Sequence, residues 1–339
     1  MRYLLWGAER IGDLVMAIPA LKLIRRIRPA AEIAFATTDY AREVAEVCGM
    51  VDEILVHRFK GGIRNWRAFA RLRNRIMSGE FERVILLGKV TRFRQRVLRD
   101  HGSVAAPAEG AGLHTAERHL ATVRAALDAP DVETAGLYPD IAFQDDPQRI
   151  THLRKRGVRL EEGACLVVHA ATNRTLRKRR RRAGRVAEKL WPPERQRVLL
   201  RDVRREWPRR QICLVGAKGE RDFIERRVLS GLPQEQGLVN LVGETTVRDV
   251  LTLLKHAGLL VCSDSGVMHL ATLVNCPLVA LFGPTDEGVT GPFTDSGQVW
   301  RVREAGASRH MADLRVATVL SAVRTALGTD RAEPAPAGG

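Results

Sequence analysis

The chain has 339 residues, of which 45% are hydrophobic and 28% charged, enough to bury a core in each of two ordinary domains and unlike any disordered or collagen-like polymer. Its 55 Lys and Arg against 39 Asp and Glu leave a formal charge of +16, which points first to an anionic partner. That charge is local: residues 57–78 hold seven basic side chains, 174–185 hold eight, neither segment contains an acid, and the remainder sums to +1.

Along the chain, short apolar runs alternate with segments of helical period. Apolar runs at 3–6, 33–36, 54–56 and 84–87 are followed or separated by periodic segments at 14–27, 39–48 and 63–77. The rhythm resumes with runs at 165–168, 212–215, 238–241, 259–262 and 278–282, and with helices near 194–206, 220–229 and 246–256. Such alternation predicts parallel sheets with helices on both faces. Between the two series, 129–163 is rich in Asp, Pro and charge and reads as a linker. The expected domains are therefore 1–150 and 151–328, with 329–339 as a disordered tail. No stretch approaches the roughly 18 apolar residues that span a bilayer. MRYLLWGAER meets Glu9 and Arg10 too early for a signal peptide. Five cysteines without CxxC spacing fit a reducing cytoplasm, so the expectation is a cytoplasmic protein, soluble or peripheral to a membrane.

In parallel sheets the chemistry collects where strands run into helix N-termini. The first such turn is Gly7 to Asp13, where Gly12 allows a close turn or positive φ, and Asp13 is either an N-cap or a general base aimed into the crevice. Pro19 is expected to kink or restart the following helix, whose Leu14, Ile18, Leu21 and Ile24 face the sheet. The second turn is Cys262-Ser263-Asp264-Ser265-Gly266-Val267-Met268-His269. Backbone N–H groups at Ser265 to Val267 suit a phosphate, Asp264 suits sugar hydroxyls, and His269 points the same way, unless the stretch is simply a capped helix with a satisfied histidine. A third turn, Gly283-Pro284-Thr285-Asp286, follows the next strand. A fourth runs from His169 through Thr172 to Lys189 before a helix that opens at Pro192 or Pro193; its hydroxyl and ammonium could hold a pyrophosphate without metal. The chain contains no Walker loop, no G-x-G-x-x-G after the first strand, no G-x-S-x-G, no H-E-x-x-H and no Cys/His metal spacing, which disfavours kinases, dehydrogenases, hydrolases and zinc enzymes.

The blocks IGDLVMAIPALKLIRRIRPAAEI, HAATN with EKLWP, VGAKGERD and SDSGVMHLATLVNCPLVALFGPTD occur in the order found in glycosyltransferase family 9, which the chain resembles from about residue 3 to 327. It is similar to the bacterial heptosyltransferases of lipopolysaccharide core synthesis. The resemblance implies an α/β protein of GT-B fold, two doubly wound Rossmann-like domains facing a central cleft. The N-terminal one would bind a phosphorylated glycolipid acceptor and the C-terminal one a nucleotide sugar, ADP-heptose. It also implies inverting transfer with no cofactor and no metal. By position, Asp13 would be the base, while Lys189, with Thr172 and the N–H groups of Ser265 and Gly266, would steady the leaving diphosphate. Asp264 and His269 would contact sugar and phosphates, and Glu220 the ribose. Two departures stand out: LRKRRRRAGRVA intervenes between Thr172 and Lys189, and Ala171 stands where the family often has a second Thr or Ser.

Within 63–77, Ile63, Trp66, Phe69, Leu72 and Ile76 share one helical face and Arg64, Arg67, Arg71 and Arg75 another. This basic amphipathic helix either covers the sheet with a solvated face or touches anionic lipid through Arg64, Arg67 and Arg71. The 174–185 run reads as a solvated loop, a lid or a membrane contact. Two alternatives remain: a family 9 transferase with another nucleotide sugar or acceptor, and a basic nucleic-acid-binding protein. The second lacks interleaved stacking aromatics and any recognisable module, so no nucleic-acid partner is expected.

Overall fold

A computed structural model describes residues 1–57, 66–110, 112–171, 190–232, 237–304 and 309–328. The chain forms two compact units, Met1–Ile141 with Gly288–Asp295, and Ala142–Glu287 with Ser296–Gly339. The division falls at 141/142 rather than 150 because the next residues are tied to the second unit. Lys255 donates to the Phe143 carbonyl (3.3 Å) and pairs with Asp145 (3.0 Å), and His256 lies 3.1 Å from the same carboxylate. Gly288–Asp295 belongs to the first unit: Thr115 donates to the Val289 carbonyl at 3.0 Å, and the Phe293 ring stacks on His114 at 4.8 Å. The expected tail, 329–339, lies outside the described residues.

The first unit runs β1 (Arg2–Trp6), α1 (Ile11–Val15), α2 (Ile18–Ile27), β2 (Glu32–Thr37), α3 (Arg42–Val47), β3 (Glu53–Val56), α4 (Trp66–Met77), β4 (Arg83–Leu86), α5 (Arg92–Val97), β5 (Val104–Ala105) and α6 (Thr115–Ala126). Its five parallel strands lie in the order β3-β2-β1-β4-β5. The central strand β1 is apolar on both faces, with Leu4, Leu5 and Trp6 fully buried, as a strand covered by helices on each side must be. The helix over 14–27 breaks at Met16 and Ala17 and restarts at Ile18 with Pro19 in its first turn, where a missing N–H costs nothing. Leu14, Ile18, Leu21 and Ile24 are buried, as their period requires.

The second unit runs α7 (Pro147–Lys155), β6 (Cys165–His169), α8 (Pro193–Glu206), β7 (Gln211–Leu214), a short helical stretch beginning at Lys218–Glu220, β8 (Leu238–Asn240), α9 (Val247–His256), β9 (Leu259–Ser263), α10 (Gly266–Leu273), β10 (Leu278–Leu281), β11 (Val299–Val302) and α11 (Val316–Leu327). Its six parallel strands lie in the order β11-β10-β9-β6-β7-β8. α8 opens at Pro193 with Pro192 before it. α9 starts on a reciprocal cap in which the Thr246 N–H and hydroxyl both donate to Asp249 at 2.8 Å. The five cysteines are buried free thiols, and burial pushes the pKa of Cys48, Cys262 and Cys276 up. Among the described residues no helix is long and apolar enough to cross a membrane.

Candidate functional site

Each sheet reverses its strand order once, between β1 and β4 in the first unit and between β6 and β9 in the second, and ligands of such sheets bind beyond the carboxyl ends at that reversal. In the first unit Gly7 leaves β1 at φ +147°. A Cβ there would stand 1.5 Å from the Leu87 carbonyl oxygen, so only glycine lets the ends of β1 and β4 approach. The next carbonyls are each taken by a side chain: Arg94 donates to Gly7 (3.2 Å), Thr37 to Ala8 (2.8 Å) and Thr38 to Glu9 (2.7 Å). Arg94, only 3% exposed, also donates to the Lys89 carbonyl and pairs with Glu9 at 2.7 Å. Its guanidinium lies over Trp6, whose indole N–H donates to His57 Nε2 at 3.0 Å, placing the His57 proton on Nδ1. Burial, helped by the Arg94 charge, lowers the His57 pKa from 6.5 to about 4. Burial likewise lowers His119 to about 4, and its Nδ1 faces the Met16 carbonyl at 3.2 Å, in the turn between α1 and α2.

These contacts hold both ends of α1, which carries Asp13. The N-cap of α1 is Arg10, with extended backbone and no side-chain bond, and Asp13 stands three residues on, half-buried in the first turn. Asp13 is therefore not the N-cap residue of α1: it belongs to the first turn, in the field of the helix N-terminus. Gly12 is helical as well, and the positive φ falls on Gly7 instead, because β4 crowds the strand end rather than the helix start. Of the basic residues considered for lipid contact, Arg64 lies outside the described residues, Arg67 is part of α4, and Arg71 on α4 is exposed.

In the second unit the loops after β7, β6, β9 and β10 leave four adjacent strands. β9 ends at Ser263, Asp264 is half-buried, and Ser265 is the N-cap of α10 with extended backbone (φ −155°, ψ 169°). Ser265 forms no side-chain cap on α10. The leading N–H groups of α10, beginning at Gly266, are thus not taken up by its hydroxyl. His269, 4% exposed, lies one turn into α10. Below this turn Cys262 is held protonated by burial and then by the Asp264 charge. Glu220, 4% exposed, turns its carboxylate back on its own loop, accepting the Ala217 N–H at 3.1 Å and lying 3.5 Å from His169 Nε2. A Cβ at Gly216 would come within 2.5 Å of that carboxylate.

The loop after β10 is pinned by Arg303, which donates to the carbonyls of Gly283 and Thr285 at 2.6 Å each and pairs with Glu287. Burial alone would raise the Glu287 carboxyl, but the Arg303 bonds outweigh it and the net shift is downward. Thr172 and Lys189 lie outside the described residues, as does the 174–185 run. The chain on either side is anchored: buried Gln196 gives its two amide hydrogens to the carbonyls of Ala170 (2.9 Å) and Trp191 (2.7 Å). Sequence reasoning assigned no role to His169, Gln196, Arg94 or Arg303. His169 alone carried a signal, as the last residue of a strand at the expected crevice. Among the described residues no group of His, Cys, Asp and Glu side chains is arranged to hold a metal ion.

The model of glycosyltransferase family 9 (heptosyltransferase) matches residues 107–316. A lipooligosaccharide heptosyltransferase 2 from Haemophilus influenzae is 36% identical over 83 residues, a match that spans 24% of this chain and 24% of that relative. Among solved structures, the ADP-heptose lipopolysaccharide heptosyltransferase II of Escherichia coli superposes with a TM-score of 0.77 at 19% identity, covering 96% of this chain and 98% of that one. A family 9 glycosyl transferase from Veillonella parvula gives the same TM-score at 16% identity, covering 96% and 97%. At these identities the structural likeness shows the fold, two parallel-sheet α/β units of the GT-B class.

Proposed function

The chain belongs to glycosyltransferase family 9, and from that premise we propose that it transfers a sugar, heptose from ADP-heptose, with inversion onto a phosphorylated lipopolysaccharide-core glycolipid at the inner face of the cytoplasmic membrane. The observation that carries this reading is the row of loops at the carboxyl ends of β7, β6, β9 and β10. It sets α10's leading N–H groups and the carboxylates of Glu220 and Asp264 along one edge of one sheet. N–H groups at a helix start suit a diphosphate, and carboxylates beside them suit the hydroxyls of ribose and sugar.

In this mechanism Asp13 removes the proton of the acceptor hydroxyl as that oxygen attacks the anomeric carbon. The bond from that carbon to the diphosphate oxygen breaks, and its electron pair leaves with ADP. Positive charge growing on the sugar and negative charge growing on the diphosphate call for a carboxylate on one side and fixed donors on the other. The donors are the N–H groups of Ser265 and Gly266 together with Lys189 and Thr172. His269 and Asp264 contact phosphates and sugar, Glu220 the ribose. No metal is needed where ammonium and backbone dipoles carry that charge. A half-buried aspartate on a helix clamped at both ends by Arg94, Thr37, Thr38 and His119 suits a base that must keep its place.

The test is release of ADP by the purified chain given ADP-heptose and a lipid-A-linked acceptor, alongside a panel of other nucleotide sugars. Asp13→Asn is expected to lower turnover at least about a hundredfold while leaving ADP binding unchanged. A folded Asp13→Asn variant with undiminished transfer would remove Asp13 from the chemistry, and turnover with a different donor alone would reassign the sugar.

A further inference from the structure

We infer that His169 is a positioning residue for Glu220, and that one buried water shared with Gln196 holds its imidazole in the tautomer this requires. The inference rests on the donor reading above for Glu220 and on local geometry for everything else. His169 ends β6, the strand at the reversal, opposite Cys262 of β9. Its ring is buried, with 6% exposure, and its Nε2 faces the equally buried Glu220 carboxylate at 3.5 Å. That contact is long for a direct hydrogen bond, so the ring orients the carboxylate mainly by facing it. Glu220 is thus held on two sides, by the Ala217 N–H and by His169, in a space kept open because residue 216 has no Cβ.

The other face of the ring makes the tautomer a matter of counting donors. If Nε2 carries the hydrogen turned toward the carboxylate, Nδ1 is an acceptor, and Nδ1 is buried with no partner among the described residues. Gln196 presents the same need. Both hydrogens of its amide are committed to the Ala170 and Trp191 carbonyls, which fixes the orientation of the amide, and its Oε1 is likewise buried with no partner. His169 and Gln196 line one cavity of about 20 Å³, bordered also by Cys262 and Ser263. A site for one water needs roughly 10–15 Å³ and two or more polar partners. Each of these two lining residues carries a buried acceptor with no partner among the described residues, and a water has two hydrogens to give them. The resulting chain of contacts, Glu220 to His169 to water to Gln196, ties the loop after β7 to both anchors of the chain between Ala170 and Trp191.

Titrating the full chain with ADP and with 2′-deoxy-ADP tests the role. The unaltered protein should prefer ADP. His169→Phe, which keeps the ring volume and removes both nitrogens, should weaken ADP about tenfold and abolish the preference, whereas His169→Gln, which returns a donor near Nε2, should restore it. Because His169 acts through Glu220, His169→Phe combined with Glu220→Gln should lose no more than Glu220→Gln alone. A folded His169→Phe variant that still prefers ADP as strongly as the unaltered chain overturns this inference alone. Failure of the unaltered chain to bind ADP overturns the donor reading with it. Imidazole 15N spectra of the unaltered protein need no variant to fold: an unprotonated Nδ1 on His169 is expected, and a proton there overturns the proposed water bridge.

Discussion

The two units share one strand order around the reversal, yet they close it by opposite means. Beyond β1 the first unit has a glycine pressed against the neighbouring strand's backbone, and side chains take three successive loop carbonyls. At the end of β6 the second unit has a histidine and a small cavity, and after the adjacent strand β9 a helix start without a side-chain cap. The first arrangement immobilises a loop so that one helix, α1, is presented in a fixed pose. In the second, His169 Nδ1 and Gln196 Oε1 have no partner among the described residues, and α10 starts without a side-chain cap from Ser265. The difference teaches that a rigid presenting edge and a receptive edge come from the same topology, according to whether the loop's polar groups are satisfied within the protein.

Glycine substitution breaks the comparison most directly. Gly7→Ala places a Cβ 1.5 Å from backbone that cannot move without parting β1 from β4, and it does so at a φ that side chains rarely adopt. The expected loss exceeds about 4 kcal/mol, read as failure of the first unit to protect its amides in hydrogen exchange. Gly216→Ala presses on the Glu220 carboxylate, a side-chain end that can turn aside, and meets Val242 at an ordinary 3.5 Å, so a loss of about 1–2 kcal/mol with weakened ADP binding is expected.

Acid should separate the units next. His57 and His119, both in the first unit, titrate near 4 when folded and near 6.5 when unfolded. Between those values the unfolded chain binds more protons, so their stabilisation is complete above pH 6.5 and is lost as pH falls toward 4, by up to about 3 kcal/mol each. Hydrogen exchange at pH 7 and pH 4.5 should show the first unit opening preferentially. His57→Gln, which keeps an acceptor for Trp6, should flatten that dependence; an unchanged pH profile in this variant would remove His57 as its source.

Smaller effects attach to Arg303. Removing its guanidinium by Arg303→Ala frees the carbonyls of Gly283 and Thr285 and unpairs Glu287, all at a site only partly shielded. A loss near 1 kcal/mol is expected. Under the proposed function, ADP affinity should fall severalfold, whereas Arg303→Lys, unable to serve two carbonyls and a carboxylate at once, should recover little.

The alternating apolar runs made nine of the eleven described strands legible, because strands covered on both faces are apolar along most of their length. β5 and β11 escaped notice for a physical reason: β5 is two residues long, and VWRV of β11 carries a charge on a sheet edge. α7 read as linker because PQRITHLRK buries only Leu153. The loops of the candidate site were legible from Gly, Asp and Ser placed after apolar runs. Their supports were not: Arg94 holds Glu9 across 85 positions and His169 meets Glu220 across 51. Such pairings follow from strand order, which local pattern does not encode.

The charge pattern is where folding most changes the reading, and it supplies the smallest and most diagnostic prediction. The basic segment 57–78 contains no acid of its own, which suggested a face free to meet anionic lipid. In the fold, acids from elsewhere answer it: Arg75 pairs with Glu53 and Arg73 with Asp100. Arg71 is exposed on the same helix and forms no ion pair among the described residues. If α4 meets an anionic surface, Arg71 should contribute about 1 kcal/mol at low salt, so Arg71→Glu should lower co-sedimentation with phosphatidylglycerol vesicles at least about fivefold. Arg75→Ala, which removes a charge already answered by Glu53, should lower it less than twofold. Equal losses from the two variants would show that binding follows net charge alone; loss from neither would leave α4 as the solvated cover of its sheet.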